Sequence, residues 1–518
     1  MPPNSSSVLS GDQHASTPSH SSSTHPLSSQ STDRESLLAT LVRARTEARR
    51  LQRPVLASWA RPLQLTDPVA IWSRARRSTQ RSFLWQSPWD GGSLVAIGSA
   101  RALRGRGEHR VRAVREGWQA LAADLVSGGA PVPSLPSGAG PLALGGFSFR
   151  AEEGHETGRL PDALMWVPEL QLRSAVPAPG TEHRPGPAEL RLNAVLLHDS
   201  DPGQVAEGLL QLADRCLGRD PAEERVRDAS VEAGGPGQQA GRTCRSTELP
   251  AAQDWKDLVS RATGRIRAGE FEKVVLAREV RVTASDPFDL PAAVDRLRGA
   301  NPGTTLFAVD HEEYTFLGAT PEYLVRVADR TVHALGLAGT TPRGATRDQD
   351  EALGRELVES AKIQHEHAVV VTMLRRALAD GCADVTAETP PQVVKLANVQ
   401  HLSTKVQGRL ADDSTAGILD FVERLHPTPA LGGHPRAEAL SWLADNEGLD
   451  RSWYAGVVGW ADATGQGQFA VAIRSALLDG SVASLYAGCG LVADSDPEAE
   501  YAETCAKLRP MMAALGIE

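Results

Sequence analysis

Cysteine is scarce: five residues in 518, Cys216, Cys244, Cys382, Cys489 and Cys505, with no Cys-x-x-Cys spacing. An odd, scattered set argues against a disulfide framework or a thiolate zinc site and fits a reducing compartment. No apolar run reaches the roughly 18 residues a membrane-spanning helix needs. The opening residues lack the basic start and apolar stretch of a secretory signal. The cytoplasm is therefore the expected location. There is also no excess of positive charge. The formal net charge is −10 and the pI about 5.8, so no basic field is available to displace phosphate counterions, and nucleic acid is not an expected partner. Such a protein must bind an anionic metabolite through locally arranged cations or a metal ion.

The chain is 41% hydrophobic and 23% charged, enough apolar content for a large core. Residues 1–32 are the exception, rich in Ser, Thr, Pro and His. They cannot offset the entropy of ordering and are expected to be disordered, with His14, His20 and His25 part of that tail rather than a metal tract. Residues 33–218 read as a first globular part, through strands such as those at Ser82, Leu94 and Gly145. Residues 219–248, with Gly234-Gly-Pro-Gly, read as a flexible loop or linker. From 249 to 518 the patterning sharpens. Trp255, Leu258, Val259, Ala262 and Ile266 mark one helical face, with Gly269 placed to cap it. Lys273 opens an apolar strand, and Asp348 to Ala379 reads as one long helix. Strands follow near Gly456, Phe469 and Tyr486, and a final helix starts at Pro497 with Ser495 or Asp496 as cap. Short gaps between strands favour antiparallel pairing in an α+β fold.

Several side chains could carry chemistry. Glu500, Glu503 and Lys507 fall on one face of the final helix; Glu359, Lys362 and Glu366 share a face of the long middle one. Each trio taken alone reads as solvated ion pairs worth about 0.3–0.5 kcal/mol apiece. The alternative is that a carboxylate from each helix converges on Mg²⁺, which suits hard oxygen ligands. His365 and His367 point elsewhere on the helix. Lys273 and Arg474, at the ends of apolar strands, either snorkel to water or meet an anion, and Lys273 could serve as a base if its pKa fell. Gly488 and Gly490 could present amides to an anion, though an ordinary turn explains them as well. His426-Pro-Thr-Pro-Ala-Leu-Gly-Gly-His-Pro defines a loop shape too closely for a casual linker.

Together these segments resemble the chorismate-utilising enzymes, the family of anthranilate, aminodeoxychorismate, isochorismate and salicylate synthases. The resemblance runs from about Trp255 to the C-terminus. It rests on Lys273-Val-Val-Leu-Ala-Arg, Ala319-Thr-Pro-Glu-Tyr-Leu, Leu337-Ala-Gly-Thr, Lys362-Ile-Gln-His-Glu-His, Gln400-His-Leu-Ser-Thr, the His426 loop, Ala487-Gly-Cys-Gly-Leu-Val and Glu500-Tyr-Ala-Glu-Thr. The first third matches more faintly, through Trp85-Gln and Gly145-Gly-Phe-Ser-Phe. The His426 loop with Ala430 looks like the isochorismate synthases. A salicylate synthase tends to carry Thr at Ala430, and an ammonia-dependent, anthranilate synthase-type enzyme would need a glutaminase partner; these are the alternatives. Tyr454, Tyr486 and Cys489 depart from the isochorismate synthase pattern.

The resemblance implies two stacked antiparallel sheets with flanking helices. It implies an isomerase that converts chorismate to isochorismate for menaquinone or siderophore biosynthesis, with Mg²⁺ as cofactor. A slight preference goes to menaquinone, because the long N-terminal region looks like that subgroup. Lys273 would be the base and Glu322 the acid. Ala338, Gly339, Thr340, His401, Ala430, Arg474, Tyr486, Gly488, Gly490 and Lys507 would contact substrate. Glu366 and Glu503 would hold the metal, supported by Glu359 and Glu500. A monomer without a glutaminase subunit is expected.

Overall fold

Alternation along the strand Arg81–Ser87 shows how the layers arise. Phe83 and Trp85 point into one hydrophobic core, and Leu84, between them, points into the other. A strand buried on both faces needs cover on both. The computed structural model describes residues 31–65, 67–151, 159–176, 185–218, 243–395 and 399–517. Within them it contains a 13-stranded and a 10-stranded sheet, antiparallel at every pairing except that of Val55–Leu65 with Val126–Gly129.

The larger sheet joins both parts of the chain, because Thr305–His311 pairs with Arg81–Ser87. The smaller does the same where Val457–Asp462 pairs with Leu142–Phe147. The first core lies between the sheets, uniting Phe83, Trp85, Phe307 and Phe316 of one with Leu144, Phe147, Trp166 and Phe469 of the other. Phe83 meets Trp166 edge-to-face with centroids 6.1 Å apart, an arrangement favoured by the ring quadrupoles. The second core lies under the helices Ser31–Leu51, Pro68–Ala75, Pro202–Leu217, Leu290–Ala300 and Pro497–Leu515, on the outer face of the larger sheet. Among the described residues no helix is long and apolar enough to cross a membrane.

Three sequence expectations differ from the structure or fall outside it. The tail expected over 1–32 lies outside the described residues apart from Ser31 and Thr32, which begin a helix. In the stretch read as a linker, residues 219–242 are likewise outside, but Cys244–Leu249 is a strand paired with Lys273–Ala284. Its side chains are mostly exposed and show no alternation, so backbone pairing alone holds it and no hydrophobic pattern announces it. The long helix is two, Arg347–Glu359 and Ala361–Ala379. Ser360 is extended, with φ −68° and ψ 111°, and its hydroxyl accepts from the Ile363 amide. It starts a new helix as an N-cap instead of continuing the old one. Glu359 therefore does not share a helix with Lys362 and Glu366.

Candidate active site

Two neighbouring strands build one wall of a cleft. Lys273–Ala284 pairs with Val482–Leu491 so that Val275 stands opposite Gly490 and Ala277 opposite Gly488. A Cβ at Gly490 would stand 2.7 Å from Lys273 Cε and 3.3 Å from its Nζ; one at Gly488 would lie 3.2 Å from the Tyr454 hydroxyl. The two glycines thus leave room for a lysine amine and a tyrosine hydroxyl. The His426 loop closes against the same strand, with His434 opposite Lys273 and Gly433 opposite Val274.

The cleft has a volume of about 280 Å³. Lys273, Glu322, Ala338, Gly339, His401, Ala430, Arg474, Tyr486, Gly488, Gly490, Glu500, Glu503 and Lys507 all line it. Strand Thr331–Pro342 brings Ala338 and Gly339, and past a bulge at Gly339 its Thr340 pairs with His401 of the neighbouring strand. The side chains of Thr340, Lys362 and Glu366 are outside the described residues. Glu359 ends its helix and is not among the residues lining the cleft. His367 is buried against Thr404, 2.7 Å away, while His365 is exposed. His426, likewise buried, turns from the cleft toward the Ser148 carbonyl and the Phe149 ring.

The site shifts its own acids and bases. Burial pushes Glu322 up to about 7 against the pull of Lys273 and Lys507. Desolvation disfavours the carboxylate more than those cations favour it, as expected for an acid that must hold a proton near neutrality. Burial, with Arg474 and Lys507 adding repulsion, lowers His401 to about 4, opposed by a hydrogen bond to the Gly339 backbone. His401 is therefore a neutral imidazole at ordinary pH. Burial also holds the Arg474 guanidinium below its usual range, which primes it for an anionic partner. Arg474 does not end a strand as the sequence suggested. It sits between strands at φ 54°, and its carbonyl accepts from the Ala319 amide at 3.2 Å.

Glu500 and Glu503 approach each other on the helix Pro497–Leu515. Glu500 is raised by burial and, less, by Glu503, while Ser495 and Cys489 hydrogen-bond to it and pull the other way. Lys507 Nζ lies 2.6 Å from Glu503 and donates to the Gly488 carbonyl at 2.8 Å. Two carboxylates in mutual repulsion suit a hard divalent cation that keeps several waters. Among the described residues no three His, Cys, Asp or Glu side chains group as a metal cage.

Sequence reasoning gave no place to Glu447 or Arg451. Arg451 lines the cleft beside Tyr454, whose ring stacks on Tyr486 at 5.2 Å. The only sequence signal for the pair was an i,i+4 spacing that ordinarily reads as a surface ion pair.

The family model of chorismate binding enzymes matches residues 41–516. An isochorismate synthase, MenF, of Bacillus subtilis is 33% identical over 477 residues, which cover 91% of this chain and 96% of that one. A salicylate biosynthesis isochorismate synthase of Pseudomonas aeruginosa is 36% identical over 92% of this chain and 94% of its own. The solved menaquinone-specific isochorismate synthase MenF of Escherichia coli superposes with a TM-score of 0.71 at 26% identity, covering 92% of this chain and all of that one.

Proposed function

Because the chain belongs to the chorismate-binding enzyme family, we propose that it is an isochorismate synthase, an isomerase that moves a hydroxyl group around the chorismate ring in menaquinone or siderophore biosynthesis. One observation carries the chemistry: Lys273 and a Glu322 raised to about 7 line the same cleft. Lys273 accepts a proton from a water whose oxygen attacks C2. The ring double bonds shift, and Glu322 gives its proton to the C4 hydroxyl, which leaves as water. One water enters and one departs, so the change is an isomerisation. Near-neutral acids and bases are the most effective proton carriers in such a step.

Arg474, Lys507 and the Gly488 and Gly490 backbone hold the substrate's carboxylates, with Tyr486 and neutral His401 beside the ring. Small Ala430 leaves room where the His426 loop meets it. Glu503 and Glu366 would hold Mg²⁺, with Glu500 supporting them through water; bound there, the ion would neutralise a carboxylate of the substrate. The protein works in the cytoplasm as a monomer without a glutaminase subunit. Incubation with chorismate and Mg²⁺ in the absence of ammonia, followed by chromatography, tests the reading. It should give a mixture of chorismate and isochorismate that a chelator prevents. Salicylate with pyruvate, or no turnover, would contradict it.

A further inference from the structure

We propose that Glu447 and Arg451 form a positioning pair that sets Lys273 against the His426 loop; the inference rests on the functional reading of Lys273 just given. Both side chains are buried, 1% and 2% exposed. Arg451 grips Glu447 with two nitrogens, at 2.7 and 2.6 Å. The remaining bonds fall on backbone. Arg451 donates to the carbonyls of Val275 at 2.5 Å and Leu431 at 3.1 Å, and Glu447 accepts from the Ala277 amide at 2.8 Å. The Phe149 ring lies 4.1 Å from the guanidinium carbon.

These contacts meet the strand two and four residues beyond Lys273, and the loop one residue beyond Ala430. The two segments also bond directly, Val275 N to Gly432 O at 3.2 Å. The pair therefore fixes the register of the strand bearing the base against the loop facing it. It reaches a third segment as well, since the Tyr454 amide donates to the Arg451 carbonyl at 2.8 Å.

Stability alone does not account for the arrangement. A buried ion pair loses most of its attraction to the desolvation of both charges, and apolar residues of the same volume often hold a fold as well. Apolar residues can neither donate to two carbonyls nor accept from an amide. Lysine cannot hold two carbonyls and both carboxylate oxygens at once, because it lacks the planar fork of five donors. Displacements of about 1 Å in a catalytic group can cost on the order of 100-fold in rate, so the geometry this pair maintains has a kinetic value.

The test is steady-state kinetics on Arg451→Lys and Glu447→Gln with chorismate and Mg²⁺, at a temperature where circular dichroism shows each variant folded. Both should lose about 10- to 100-fold in kcat, while KM for chorismate stays within about three-fold of wild type. Unchanged kcat in either folded variant would overturn the proposal, and so would a loss carried by KM alone, which would make Arg451 a substrate contact. If Arg451→Lys does not fold, the nearly isosteric Glu447→Gln decides. Failure of both to fold would make the pair a folding element and refute a kinetic role. A wild-type enzyme that forms no isochorismate would instead overturn the functional reading, and this inference with it.

Discussion

Replacing Gly490 with alanine should displace the base while leaving the fold in place. The new Cβ would stand 2.7 Å from Lys273 Cε and 3.3 Å from Nζ. Carbon atoms in contact settle at about 3.5–4.0 Å, so Cε must retreat by about 1 Å. The obstructing atoms are the end of a flexible side chain, and Gly490 lies in a regular strand opposite Val275. The cost therefore falls on the position of the amine and not on the backbone. A misplacement of that size is worth on the order of 100-fold in kcat, or about 2.7 kcal/mol of barrier. Isochorismate formation at saturating chorismate, measured beside thermal unfolding, would read both effects. Turnover within about two-fold of wild type, with alanine in place and the protein folded, would refute the assignment of Lys273 as base.

Other expectations follow from the same geometry. Lys273→Ala and Glu322→Gln should each lower kcat by on the order of 100-fold or more without unfolding the protein; near-normal turnover in either would remove that residue from the mechanism. Glu322 works protonated, so the rate should fall as pH rises through about 7. Its folded pKa lies above the ordinary 4.5, so the stability it contributes is present below that value and lost as pH rises through about 7. Unfolding of Glu322→Gln should therefore depend less on pH between about 5 and 8 than unfolding of wild type. The His401 ring should titrate near 4 in an NMR titration, and a midpoint above 6 would contradict its placement among buried cations. Glu503→Gln should need more Mg²⁺ for half-maximal rate, and an unchanged metal titration would exclude Glu503 as a ligand.

Much of the site was legible because its chemistry requires particular residues in short, ordered runs. The strand at Lys273 and the glycines at 488 and 490 lie side by side in the structure, although the glycines alone read as an ordinary turn. The strands beneath were legible where burial alternates or runs unbroken, as in Arg81–Ser87. Other features left weaker signals. Ser360 reads as an ordinary residue inside a helix until its hydroxyl is seen to cap Ile363. Glu447 and Arg451 drew no reading from the sequence, because an i,i+4 spacing does not say which side is buried. Cys489 looked like a departure from a pattern, and only the fold brings it against Glu500. Arg474 was expected at the end of a strand, whereas its left-handed backbone turns between two of them.

The central claim is that a solvent water, activated by Lys273, attacks C2 while Glu322 assists the C4 hydroxyl out. Turnover of chorismate in water enriched in oxygen-18, followed by mass spectrometry of the isochorismate, tests it most directly. The account predicts one heavy oxygen in the product, located in the C2 hydroxyl, and incorporation slower by on the order of 100-fold or more when Lys273→Ala replaces wild type. Isochorismate carrying only the substrate's original oxygen would mean that the hydroxyl migrates without exchange with solvent, and the roles given to Lys273 and Glu322 would fall together.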